Sequence, residues 1–231
     1  EVIVVDNGSQ DGSAEMVAEN FPTLRLIANQ GNVGFSKANN RGIKESKGRY
    51  VLMLNSDTEL QNDALSAMVE FMDNHPHAGA CGGMLLNGDG TIQPSCARFA
   101  SVGAIFLGCR SFKQLLLKFS RSNKNFSAPF LSYDEHLISQ DVDWVVGADL
   151  MVRREVLDEV GLLDERIFLY AEDWDYCYRL KEAGWGVLYG MEAPPWDNWE
   201  TFREPPLYRM ITGSLLSISG EGFYQGRFWA V

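Results

Sequence analysis

Three acidic sites in the sequence are placed to do chemistry: Asp6, Asp57 and the Glu172/Asp173/Asp175 cluster. Asp6 and Asp57 each close an apolar run, "VIVV" and "YVLML", so each stands where a buried strand runs out. A carboxylate with polar neighbours at such a place, as in Asn55-Ser56-Asp57, can ligate Mg2+ or Mn2+, hard cations that prefer oxygen. The same triplet is also ordinary turn chemistry. Such a cation takes one or two carboxylates and fills its shell with water and phosphate oxygens, so Asp57 alone suffices if the substrate brings a diphosphate. Glu172 and Asp173 stand at the start of a helical pattern. Acids there cap the helix and complement its dipole, and an ionised carboxylate near a hydroxyl can equally serve as a general base. Asp175 lies two residues on, points elsewhere, and is expected to pair or cap.

Other chemistries find no support. The stretch "NQGNVGFSKANN" lacks GxxxxGK[ST], and no GxGxxG follows the first strand, which disfavours a P-loop NTPase and a standard dinucleotide dehydrogenase. Its glycines Gly31 and Gly34 permit close backbone approach or positive φ. Asn39 and Asn40 offer amides to a polar ligand such as a sugar or ribose, or are helix-surface amides beyond a turn. No GxSxG elbow and no zinc spacing occur, and His75, His77 and His136 lie in loop-like stretches. The four cysteines, Cys81, Cys96, Cys109 and Cys177, are scattered and read as reduced structural thiols.

The elements that must hold these residues follow from periodicity. Short strands at 1–5, 24–27 and 50–54 alternate with helices that start near Gly12 and end before Pro22, run from Phe35 to Lys47, and run from Ala64 to before Pro76. Strand–helix alternation implies a parallel, doubly wound sheet, whose ligands bind beyond the carboxyl ends of the strands. Residues 78–100 read as strand and turn, with "NGDG" at 87–90 a hairpin signal. A long strand is expected from Asp143 to Val152, then a short helix, then a helix opened by the acid cluster and ended by Gly184, then a last strand, "GVLY".

Bulk properties narrow the class. The 231 residues carry 31 acids against 20 bases, a net charge of −11, which argues against a nucleic-acid partner. No apolar run reaches the roughly 18 residues of a membrane span, and Glu1 leads directly into a strand, so the expected location is cytoplasmic. Residues 110–125, "RSFKQLLLKFSRSNKN", hold five bases and no acid. That segment is a solvated amphipathic helix, or a peripheral contact with the inner face of the cytoplasmic membrane or a charged acceptor.

Taken in order, "VIVVDNGSQDGS", "NVGFSKANNRGI", "YVLMLNSDTEL", "VVGADLMVRREVLDEVGLLDE" and "FLYAEDWDYCYRLKEAGW" resemble the family 2 glycosyltransferases, in particular their bacterial rhamnosyltransferase-like branch, over residues 1–190. The resemblance implies an α/β architecture of the type A glycosyltransferase (GT-A) fold, with a Rossmann-like, mostly parallel sheet and a smaller acceptor-side region. It further implies inverting transfer of a sugar from a nucleotide-diphosphate sugar, with Mg2+ or Mn2+, to a glycan or lipid-linked acceptor of cell-wall or polysaccharide synthesis. Asp6 matches the acid that contacts the nucleotide. Asp57 matches the metal ligand of the DxD-type motif, with Asn55 and Ser56 before it. Asp173 matches the general base, with Glu172 beside it. Gly147, Ala148 and Asp149 match a segment lining the donor and acceptor site. Gly34 and Asn39, read above from their residue types and not from the resemblance, are further candidates for nucleotide-sugar contact. The expected organisation is one domain: a nucleotide-sugar half over 1–100, an acceptor half over 101–190, and a divergent tail over 191–231.

Two departures stand out. Family members open with one more strand, central in such a sheet, so the sequence is expected to be a fragment whose neighbouring strands lack a ladder partner. After "GVLY" the family places a metal-binding histidine. Here "GMEAPPWDNWET" has none, and Asp197 is the residue nearest that place. These departures leave a non-catalytic nucleotide-sugar or glycan binder as the alternative. A nucleotidyltransferase is a further one, though "DNGSQDGS" lacks the basic phosphate loop it would want.

Overall fold

The computed structural model describes residues 1–61, 63–99, 134–190 and 228–230. Asp197, Cys109, segment 110–125 and residues 191–227 of the tail lie outside the described residues.

The amino-terminal part alternates strictly. Strand β1 (Ile3–Asp6) leads to helix α1 (Ser13–Asn20), β2 (Arg25–Ala28), α2 (Phe35–Glu45), β3 (Tyr50–Asn55), α3 (Ala64–Asn74) and β4 (Ala78–Gly82). A hairpin of β5 (Leu85–Leu86) and β6 (Ile92–Gln93) follows, closed at the "NGDG" turn by Asn87 N–H to Thr91 O, 2.8 Å. Then come β7 (Cys96–Ala97), β8 (Gln140–Val142), β9 (Trp144–Val145), β10 (Asp149–Arg153), α4 (Arg154–Val160), α5 (Glu172–Glu182), β11 (Gly186–Tyr189) and β12 (Phe228–Ala230).

The main sheet has the order β2-β1-β12-β3-β10-β4-β11-β8. Strands β1, β2, β3, β4 and β11 run one way, as the alternation requires, while β12, β10 and β8 are interleaved against them. Strand β10, from the second half of the sequence, lies between β3 and β4 from the first, so the two halves share one sheet. The slot between β1 and β3 is taken by β12, with Trp229 opposite both Val5 and Asn55. Those inner strands thus have the ladder partner that the sequence reading expected them to lack.

The expected strand over 143–152 is broken. Trp144–Val145 pairs with β7 in a separate two-stranded sheet, Val146–Ala148 leaves the ladder, and the chain re-enters the main sheet at Asp149. The mainly apolar composition of this stretch masks the break, and the reason for it is at the site described below.

Helices cover both faces. The larger core packs Phe35, Ile43, Met53, Leu150, Val152, Tyr176, Cys177, Leu180 and Tyr189. On the other face α3 buries Met68, Phe71 and Met72 against Cys81, Met151 and Leu188. At the amino end of β3, Arg153 donates to the carbonyls of Ala78 (3.1 Å), Met72 (2.7 Å) and His75 (3.2 Å), tying the end of α3 to the sheet. Cys81, Cys96 and Cys177 are buried. Among the described residues no helix is long and apolar enough to cross a membrane.

Candidate active site

The carboxyl ends of β1 and β3, the loop after β2 and the amino ends of α2 and α5 all reach the same edge of the sheet. Between them lies a cavity of about 560 Å³ lined by Asn7, Asn32, Gly34, Phe35, Asn55, Val146–Ala148, Phe168–Tyr170, Glu172 and Asp173. Residues far apart in sequence thus converge where a doubly wound sheet places its ligands.

The walls are built from backbone brackets. Asp6 is buried, and its carboxylate accepts the N–H groups of Gly8 (3.2 Å) and Ser9 (3.2 Å), which turns the chain off β1. Asn7 then bridges two loops: its amide donates to Asn32 Oδ1 (2.9 Å), and its carbonyl oxygen accepts Val33 N–H (3.0 Å) and Asn29 Nδ2 (3.2 Å). Gly34 has φ +90°, and a Cβ there would stand 2.8 Å from the Phe168 carbonyl oxygen, which accepts the Phe35 N–H at 2.7 Å. Only glycine allows both that backbone conformation and that approach.

Asn39 and Asn40 face inward. The Asn39 amide donates to the Phe35 carbonyl at 3.1 Å inside α2, so it is not a cavity group, contrary to the expectation of a ligand contact. Helix α2 is too buried, along seven of its eleven residues, to leave that side chain at a surface. Asn40 pairs with the backbone of Leu163, donating to its carbonyl (2.8 Å) and accepting its N–H (3.0 Å). Replacing Asn40 by Ala leaves two buried backbone groups without partners and should lower unfolding stability by about 3 kcal/mol. Urea denaturation measures this directly.

The loop so anchored ends in two consecutive non-glycine residues in the left-handed region, Tyr170 (φ 65°) and Ala171 (φ 72°). Such strain persists only where surrounding contacts over-determine it. Here it turns the chain sharply into α5 and sets Glu172 and Asp173 against the cavity. Asp173 Oδ2 accepts the Gly147 N–H at 2.9 Å, and Oδ1 accepts the Trp174 N–H at 2.7 Å. The break in the expected strand therefore has a physical purpose: leaving the ladder frees the Gly147 amide to orient the acid. Glu172 is buried, its Oε2 has no partner, and burial with the charge of Asp173 beside it raises its carboxyl above the ordinary range. Two adjacent carboxyls thus occupy different environments, one buried and half-unpaired, one hydrogen-bonded at the cavity wall. Asp175 turns away and pairs with Arg179 at 2.9 Å, as expected.

Asn55 lines the cavity with its Oδ1 unpartnered. The following turn is closed by Thr58 N–H to Asn55 O (3.0 Å), and it sets Asp57 at an exposed position two residues beyond. Ser56 and Asp57 stand outside the cavity lining, on the turn that borders it. Among the described residues no three His, Cys, Asp or Glu side chains converge. The exposed Asp57 carboxylate at this edge fits Mg2+ or Mn2+ held mainly by water and phosphate oxygens, not a closed protein cage.

Asp149 takes a different place from Gly147 and Ala148. It lies beneath the site, with Oδ2 accepting the Gly83 N–H at 3.0 Å, Oδ1 unpartnered, and burial pushing its carboxyl up to about 6 from 3.8. The neutral acid is therefore the favoured buried form. Its contribution to stability is complete below the unfolded value and is lost as pH rises through about 6. Asp149→Asn should remove this slope, gaining up to about 3 kcal/mol at pH 8 relative to the unsubstituted protein. Urea titrations at pH 5 and pH 8 test it.

Asn7, Asn32, Phe35 and Phe168–Tyr170 were not singled out from the sequence. Asn7 was within reach, next to the strand-end Asp6. The positive φ values at Tyr170 and Ala171 have no sequence signal, since neither residue type favours them.

The sequence pattern of glycosyl transferase family 2 matches residues 1–161. An N-acetylglucosaminyl-diphospho-decaprenol L-rhamnosyltransferase of Mycobacterium tuberculosis is 28% identical over 199 residues, 81% of this chain and 63% of that protein. A low-salt glycan biosynthesis hexosyltransferase of Haloferax volcanii is 25% identical over 190 residues, 78% of this chain and 53% of that protein. The chain thus spans a little over half the length of these relatives. The crystal structure of GalNAc-T7 with UDP, GalNAc and Mn2+ superposes with a TM-score of 0.56 at 14% identity, covering 81% of this chain and 36% of that one. It shows the fold, the GT-A type. With the family pattern covering more than half of the residues, the chain belongs to glycosyl transferase family 2.

Proposed function

We propose that the chain carries the catalytic cleft of an inverting, metal-dependent glycosyltransferase, which moves a sugar, rhamnose being the first candidate, from a nucleotide-diphosphate sugar to a glycan or lipid-linked acceptor. The observation that carries this reading is the convergence of the β3 end, with Asn55, and the α5 start, with Asp173, on one cavity. The family and the similar rhamnosyltransferase support it, and the Mn2+ and UDP in the GalNAc-T7 structure support a nucleotide and a divalent ion of this kind.

In this reading Asp57 holds the cation, with Asn55 and Ser56 shaping the turn, and the bound cation supplies positive charge opposite the leaving diphosphate. Asp173, fixed by Gly147 and Trp174, accepts the proton of the acceptor hydroxyl as that oxygen attacks the anomeric carbon. Attack from the face opposite the diphosphate inverts the centre. Asp6 supports the nucleotide side by shaping the Asn7–Ser9 turn. For the basic segment 110–125 the reading offers a peripheral membrane or acceptor contact, and for Asp197 a place as substitute metal ligand; both lie outside the described residues.

Incubation with dTDP-, UDP- and GDP-sugars and Mn2+ tests the reading. Release of nucleoside diphosphate that depends on the cation supports it. Tight donor binding without any release would point instead to a non-catalytic binder.

A further inference from the structure

Helix α5 has a second, outward face that the cleft does not use. Trp174 and Tyr178, one helical turn apart, stack with ring centroids 6.0 Å apart and planes at 16°. Phe99 backs both, edge-on, at 5.2 Å from Trp174 and 5.5 Å from Tyr178. Phe99 is itself held by its N–H donating to Asp143 Oδ2 at 2.6 Å. The helix meets the core through Tyr176, Cys177 and Leu180, so these aromatics are not needed there. Trp174 remains 42% and Tyr178 45% exposed. Two large aromatic rings pre-ordered against a third and left open to water are costly to keep on a surface without a partner.

We propose that the Trp174–Tyr178 face, backed by Phe99, is a stacking platform for pyranose rings of the acceptor. This rests on the glycosyltransferase reading of the adjacent cleft. Continuity selects the occupant: Trp174 directly follows the cleft residue Asp173 at the start of α5, and its N–H is bonded to that carboxylate. The chemistry agrees. One face of a pyranose carries axial C–H groups that pack on aromatic faces, while its rim carries hydroxyls that need polar neighbours. A charged rim is present: Arg98, next to Phe99, is half-exposed and 3.9 Å from Asp143. A purely aliphatic chain would leave those charges facing hydrocarbon.

Saturation-transfer NMR on the full chain, without donor or metal, tests the platform. The probes are methyl glycosides of glucose, galactose and N-acetylglucosamine, with geranyl diphosphate as the lipid arm. Irradiation of the protein's aromatic protons should saturate the ring C–H protons of at least one glycoside. The Trp174→Leu/Tyr178→Leu double variant, which keeps apolar contact with Phe99, should bind that glycoside about tenfold more weakly. Trp174→Phe keeps a ring and should retain most of the signal. An unchanged signal in the double variant, no signal from any glycoside, or saturation confined to the geranyl chain would each overturn the assignment. Donor hydrolysis by the unsubstituted protein with Mn2+ is scored separately, so failure of the cleft reading and failure of the platform are told apart.

Discussion

Asp173→Asn is expected to reduce sugar transfer by about a thousandfold while leaving nucleotide-sugar affinity within a few-fold, because general-base contributions typically span about two to four orders of magnitude. The substitution is nearly isosteric but removes the basic oxygen. It also has a predictable structural cost. Both carboxylate oxygens accept backbone N–H groups, from Gly147 and from Trp174. Whichever way an asparagine amide turns, its NH2 faces one of those donors, so one bond at the helix start is lost. That cost is about 1 kcal/mol, visible in melting but far too small to explain the loss of rate. Transfer kinetics and donor titration, measured on the same preparation, separate the two effects. Transfer at the original rate would move the base away from Asp173.

Asp57→Asn is the second large effect. An exposed strand-end residue contributes little to folding, within about 0.5 kcal/mol, so the variant should melt with the unsubstituted protein. Donor affinity in the presence of Mn2+ should nevertheless fall about a hundredfold, because charge opposite the diphosphate is worth several kcal/mol in such a site. Chelation of the unsubstituted protein should reproduce the same weak binding, and chelation of the variant should change nothing further. Calorimetric titration with and without chelator reads all four states. A variant that still responds to Mn2+ would assign the cation to other residues.

The carboxyl-edge position of Asp57 and the helix-start position of Asp173 were legible because each depends on local pattern: an apolar run that stops, and an acidic turn before a 3.6-residue period. Helices α1, α3 and α5 were legible for the same reason, each bounded by proline or glycine. What was not legible depends on partners far along the chain. Strand direction leaves no mark on a strand's own residues, so β8, β10 and β12 gave no sign of running against their neighbours. The break at Val146–Ala148 sits inside a run whose composition suits an unbroken strand, and only the distant Asp173 carboxylate explains it. Asn39 and Asn40 read as ligand or surface amides because nothing local shows that α2 is buried along most of its length. Polar composition reveals that hydrogen bonds will be made, not with whom.

The bracket between Asn40 and Leu163 joins residues 123 positions apart. Closing so long a loop costs roughly 4 kcal/mol of chain entropy before any contact returns it, so contacts of this kind form late in folding. The same delay applies to β3, whose partner β10 is synthesised almost a hundred residues after it. A nascent chain emerging from the ribosome therefore carries an apolar, unpaired strand edge while almost a hundred further residues are made. Such an edge invites misassociation, and chaperone supply should govern the yield of soluble chain more than its final stability does.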